Sequence, residues 1–174
     1  MDAGRGEATP MKHQTTAERT SDRELVVTRL FNGPAHLVFE AWTTAELLKR
    51  WWMPKSFGIT FISCEVDART GGRYRFVFGH ECSEQPMTFF GRYIEVIPPT
   101  RLVWTNEEAG EGGAVTTVTF EQRGHQTLVT MHDLYPSKAA LDEAIASGST
   151  GGCSEMFEQL DDLLDAREAG AGGA

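Results

Sequence analysis

Gly71-Gly72-Arg73-Tyr74-Arg75-Phe76-Val77-Phe78-Gly79 is the stretch that decides how the chain is read. Between glycine breaks, Tyr74, Phe76 and Phe78 alternate with Arg73, Arg75 and Val77. In an extended strand this places three aromatic rings on one face and two guanidinium groups on the other. A strand with one apolar and one wet face belongs at the surface of an antiparallel sheet. Its neighbours repeat the pattern: β-rich runs near Ile59–Val66, Met87–Val96, Arg101–Asn106, Val115–Glu121 and Thr127–Leu134 are separated by turn signals. Those are Thr70-Gly71-Gly72, 79–86, Pro98-Pro99, 109–113 and Arg123-Gly124. The segment 57–134 therefore reads as an antiparallel meander.

Upstream, Leu25–Leu30 is an apolar, β-branched run that stops at Asn32-Gly33-Pro34, where Pro34 suits the first position of a helix. Leu37, Val38, Ala41 and Trp42 then fall at helical spacing, and Thr43-Thr44-Ala45-Glu46 has the Thr-x-x-Glu form of a capping box that restarts a second short helix. Pro54 closes it, after Trp51-Trp52-Met53. Downstream, Ser137 caps a short helix through Ala146, and 148–152 is a glycine-rich break. In the last helix Cys153, Met156, Phe157, Leu160, Leu163 and Leu164 make one stripe, and Glu155, Glu158, Asp161, Asp162 and Asp165 a solvated face. The order strand, two short helices, meander, long helix is α+β: a curved antiparallel sheet wrapped around a C-terminal helix, with a volume left between them.

The chain has 174 residues, 40% hydrophobic and 24% charged, with a net charge of −9. That suits one folded domain, expected over 24–168, between a disordered leader at 1–23 and a flexible Gly/Ala tail at 169–174. A pI near 5.0 argues against nucleic acid and against anionic membrane surfaces. No apolar run is long enough for membrane insertion, and Cys64, Cys82 and Cys153 form neither a CxxC nor a zinc pattern, so a cytoplasmic protein with free thiols is expected.

Three motifs carry a resemblance: Ala41-Trp42-Thr43 with Leu48-Lys49-Arg50-Trp51-Trp52-Met53-Pro54, then Asp67-Ala68-Arg69-Thr70-Gly71-Gly72-Arg73-Tyr74-Arg75-Phe76, then Gly91-Arg92-Tyr93-Ile94-Glu95-Val96-Ile97-Pro98-Pro99 running into Thr100-Arg101-Leu102-Val103. In this order, over about Glu24 to Asp165, they resemble the homologues of the activator of Hsp90 ATPase, a branch of the START-related (SRPBCC) helix-grip superfamily. The resemblance implies a helix-grip fold and a cavity that takes lipids, polyketides or other apolar molecules. It also implies two other functions, a co-chaperone acting on an Hsp90-type ATPase and a polyketide cyclase or hydrolase. Where such proteins usually carry Gly-Trp at the start of the last helix, this chain has Gly152-Cys153, which leaves more room at one end.

The expected ligand-binding residues are Trp52, Tyr74, Phe76, Phe78, Phe89, Tyr93, Phe120, His132, Cys153, Phe157 and Leu160. Each aromatic serves either as cavity wall or as plain core. Trp51, Trp52 and Pro54 are either a recognition surface or a plug. Val118, Phe120, Leu128 and His132 are assigned to the inner face, which makes His132 a polar tip in an apolar room and the weak candidate for acid–base catalysis. His80-Glu81-Cys82 lacks a matching second half for a metal site, Gly110-Glu111-Gly112-Gly113 sits between strands as a hairpin turn, and no nucleophile or phosphate-loop motif is present. No metal or cofactor is therefore expected. The leading expectation is a non-catalytic or weakly catalytic binder of an apolar small molecule, serving sequestration or resistance.

Overall fold

The computed structural model describes residues 15–80, 83–107, 113–146 and 153–173. Eight strands form one antiparallel sheet: β1 (Thr16–Arg19), β2 (Glu24–Asn32), β3 (Ile59–Val66), β4 (Arg73–His80), β5 (Ser83–Ile97), β6 (Arg101–Thr105), β7 (Val115–Arg123) and β8 (Gln126–Leu134). Their order is β1-β2-β8-β7-β6-β5-β4-β3, so β3 through β8 run as the expected meander and β2 returns beside its last strand. The helices α1 (Ala35–Thr43) and α2 (Ala45–Trp51) follow β2, α3 (Lys138–Ala146) follows β8, and α4 (Cys153–Gly173) closes the chain.

Alternation sets the inner face. Leu25, Val27 and Phe31 of β2, Val118 and Phe120 of β7, and Val129 and Met131 of β8 are buried, while their chain neighbours stay partly exposed. On this face lie α1, α2 and α4, with Phe157, Leu160, Leu163 and Leu164 buried against the sheet. β5 is 15 residues long and pairs first with β4 and then with β6. A bulge between Tyr93 and Glu95 bends it between the two pairings. Gly91 is required at that bend, because a Cβ there would stand 2.0 Å from the Thr105 carbonyl oxygen.

Several local expectations are corrected. Thr16–Arg19, inside the expected leader, pairs with Leu25–Thr28 as an edge strand, because β2 has a free side once β8 occupies the other. α4 runs on to Gly173, past the start of the expected tail. The capping box does not form: α2 begins from Thr44 with no side-chain cap, while the Thr43 hydroxyl donates back to the Phe39 carbonyl within α1 at 3.0 Å. Ser137 does cap α3, its Oγ accepting from the Ala140 amide at 3.1 Å. The glycine-rich stretch 148–152, Cys82 and residues 110–112 lie outside the described residues.

Candidate functional site

The interface between sheet and α4 is solid at one end and hollow at the other. At the solid end Phe31, Val27, Val129, Phe157, Leu160 and Leu164 are fully buried, and Phe31 meets Phe157 edge-on at 5.4 Å. Arg29, on the inner face of β2, donates to the Asp161 carboxylate at 2.5 Å. The two residues are 2% and 4% exposed. The Arg29 guanidinium also lies 5.6 Å over the Phe31 ring. The helix face expected to be only solvated thus carries a buried ion pair. The same face supplies Glu155, which accepts from the Ser56 amide at 3.0 Å and from its hydroxyl. Gln159 donates to the carbonyls of Trp51 and Met53 and accepts from the Lys55 amide, all within 3.0 Å. These bonds clasp the loop after α2, in which Met53 is held at φ 79°.

At the hollow end two chambers adjoin. A narrow inner cleft of about 40 Å³ lies among Trp42, Leu48, Tyr74, Phe76 and Tyr93. An outer cavity of about 440 Å³ opens among Leu25, Met53, Met131, Tyr135, Cys153 and Met156, roofed by Ala140, Glu143 and Ala144 of α3. Trp52, Phe89, Trp104 and Asn106 line both, so one molecule can occupy the outer cavity and reach the cleft. The rings form a connected web: Trp52 stands 6.0 Å from Phe76 and 6.5 Å from Trp104, and Tyr74 lies 5.8 Å from Tyr93.

One polar chain crosses this apolar wall. The Tyr74 hydroxyl donates to the Thr105 carbonyl at 2.7 Å, beside the Asn106 amide oxygen at 3.5 Å. Asn106 Nδ2 donates to the Ala114 carbonyl at 2.9 Å and to Thr116 Oγ1 at 3.1 Å, and the Thr116 hydroxyl donates to the Asp133 carboxyl at 2.6 Å. Asp133 is partly buried and lines the outer cavity. Burial pushes its carboxyl above the usual range, against the pull of the Thr116 bond and of His132. Burial likewise pushes the Tyr135 phenol up to about 12 and the Cys153 thiol up to about 11, Asp133 adding to both, so neither is ionised near neutrality.

The expected site residues divide three ways. Trp52, Tyr74, Phe76, Phe89, Tyr93 and Cys153 line the chambers. Phe78, Phe120, Phe157 and Leu160 line neither and fill the core, Phe120 between Phe39 and Trp42. His132 is on the outer face of β8, opposite Val26, and its Nε2 lies 2.7 Å from Glu24 Oε2. The expected phase of β8 is off by one residue, because Leu128, Val129 and Met131 put apolar side chains on both faces and Val129 and Met131 are the ones that fit the core. The acid–base role assigned to His132 inside the cavity loses its geometry with that correction. Of the two tryptophans after Arg50, Trp51 is fully buried and donates to the Ala41 carbonyl at 2.9 Å, while Trp52 walls the cavity. Trp42, Trp104, Asn106, Thr116, Asp133 and Tyr135 are site residues that pattern reading misses. Leu102-Val103-Trp104 is an unbroken apolar run that carries no phase, and an aspartate in a strand is ordinarily assigned to solvent. Among the described residues no group of three or more metal-ligating side chains comes together. No described helix is long and apolar enough to cross a membrane.

An open antiparallel sheet curled on one long helix, with an aromatic cavity left between them, is a helix-grip protein. A family model described as Activator of Hsp90 ATPase homolog 1-like protein matches residues 32–165, and the chain belongs to that family. Solved structures agree on the fold. A protein from Rhodobacter sphaeroides superposes with a TM-score of 0.80 at 23% identity, over 88% of this chain and 99% of that one. One from Nitrosomonas europaea gives 0.77 at 22%, over 87% and 99%. A protein from Aeromonas hydrophila described as AHSA1-like gives 0.62 at 18%, over 79% and 93%. No curated protein matches the chain.

Proposed function

We propose that this chain binds an apolar small molecule, a lipid, polyketide or other natural product, in the cavity between the sheet and α4. The observation that carries the reading is the aromatic-walled volume of about 440 Å³ that continues into the inner cleft through Trp52, Phe89, Trp104 and Asn106. A folded chain ordinarily fills its interior, so a hollow of this size next to a well-packed half is a feature that calls for an occupant. Aromatic rings suit that occupant because they offer large rigid surfaces with little rotamer freedom to lose on binding.

The test is a thermal-shift screen of the full chain against lipids, aromatic polyketides and other apolar metabolites. A ligand that binds the folded state alone raises Tm with concentration. The expected result is a reproducible shift that disappears in Cys153→Trp, which places an indole in the outer cavity. A flat screen overturns the reading, and stimulation of an Hsp90-type ATPase by the same preparation would put the co-chaperone reading in its place.

A further inference from the structure

The polar atoms of the outer cavity restrict the head group that an apolar ligand can carry. We propose that the occupant bears a protonated amine, its ammonium group bound at Asp133 and its apolar body running past Trp52 and Trp104 into the aromatic cleft. The inference rests on the small-molecule reading above and names its chemical class.

Donor supply makes the first argument. Asn106 Nδ2 donates to Ala114 and to Thr116, and the Thr116 hydroxyl gives its only hydrogen to Asp133. Every side-chain donor in that chain is committed within it. What remains is acceptor capacity: a carboxylate has two oxygens with about four lone-pair positions, and Thr116 satisfies one of them. The second Asp133 oxygen has no hydrogen-bond donor among the described residues. The Tyr135 phenol and the unpartnered Trp42 indole N–H are donors elsewhere in the two chambers, but at Asp133 itself a ligand that brings donors is the one that fits.

Charge makes the second argument. Among the described residues neither chamber is lined by a lysine, arginine or histidine, whereas Asp133 and Glu143 line the outer one. A carboxylate or phosphate head would face two acids with no compensating cation. An ammonium would supply the missing countercharge and up to three donors. Trp52 and Trp104 line the same cavity, and aromatic rings attract a cation that reaches their faces.

The bond from Thr116 does not need a carboxylate, since an asparagine amide oxygen would accept it equally well. A carboxyl desolvated in an apolar wall is costly to the fold, and such groups concentrate at functional sites.

The experiment is a titration of intrinsic tryptophan fluorescence on the full chain at pH 7 with decylamine, decanol and decanoate, which share one body and differ in the head. The expected order is decylamine at least about tenfold tighter than decanol, with decanoate weakest, as a charge-assisted bond in place of a neutral one implies. In Asp133→Asn, folded by circular dichroism, decylamine falls to the decanol level. Equal binding of decylamine and decanol by the unaltered chain overturns the amine proposal and leaves the apolar-ligand reading standing, and this comparison decides even if the variant does not fold. No response to any of the three overturns both. A decylamine preference that survives Asp133→Asn also overturns the proposal, and its loss in Glu143→Gln instead would move the head group to α3.

Discussion

The two ends of the α4–sheet interface are built from the same helix and the same strands, yet one is solid and the other hollow. At the solid end the helix presents Phe157, Leu160 and Leu164 to Val27, Phe31 and Val129, and the Arg29–Asp161 pair fixes its position. At the hollow end it presents Cys153 and Met156 to Met131 and Asp133, and the space between remains open. The contrast comes from side-chain size at the start of α4 and from rings that brace one another instead of reaching across. Close packing and open space are thereby assigned to different lengths of one helix.

The largest expected effect lies in the ion pair. Arg29→Ala removes the buried guanidinium from the Asp161 carboxylate and should cost about 3–5 kcal/mol, whereas Arg29→Met combined with Asp161→Leu should recover most of that loss. Chemical denaturation of the two variants checks this, and a double variant as unstable as the single one would show that the pair does more than fill space. Next, Phe157→Ala should cost about 3–5 kcal/mol because it opens a cavity in close-packed surroundings. Phe89→Ala, which already borders open space, should cost less than half as much. Equal losses in the same unfolding assay would erase the distinction between the two ends.

The smallest effect sharpens the hollow end. The Asp133 carboxyl titrates higher in the folded chain than in the unfolded one, whose aspartates have pKa values of about 3.9. Below that value the carboxyl is protonated in both states and takes nothing from stability. As pH rises toward the folded value, the unfolded chain releases its proton first and the native state loses ground. Burial raises the carboxyl, and the Thr116 bond and His132, on the far side of β8, pull it down; Tyr135, Cys153 and Glu143 line the same cavity. Asparagine does not titrate, so the Tm of Asp133→Asn relative to the unaltered chain should rise between pH 4 and pH 7. A difference that stays constant with pH would mean that the carboxyl is not held in an apolar setting.

The meander, the paired short helices and the stripe of α4 are legible in the sequence because each element has a clean period: Tyr74, Phe76 and Phe78 alternate without exception, and Phe157, Leu160 and Leu164 keep one helical face. The cavity wall is legible in part. Trp52, Tyr74 and Phe89 follow from position, but Trp104 lies in a run apolar on both faces, and β8 carries Leu128 beside Val129 and Met131, so only the packed partner decides which side faces in. Asp133 escapes pattern reading for a different reason. An inward acid contradicts every rule of burial and makes sense only once Thr116, Asn106 and the cavity are seen together. The clasp by Gln159 and Glu155 depends on contacts more than a hundred positions apart or nearly so, and no local signal encodes it.

The edge strand β1 has a consequence for handling the protein. Arg19 of β1 reaches Asp142 of α3 at 2.7 Å, and Lys138 holds the same carboxylate from within α3 at 2.9 Å. α3 buries only Leu141, so its attachment to the rest of the molecule is slight. A surface ion pair of this kind is worth at most about 1 kcal/mol and leaves global unfolding nearly unchanged. It is nevertheless a tether between the N-terminal stretch and the cavity roof. Trimming the chain at Thr20, as one does with a segment taken for a dispensable leader, would remove that tether together with the Thr15 hydroxyl that accepts from the buried Arg29 at 2.9 Å, and α3 amides should then exchange faster.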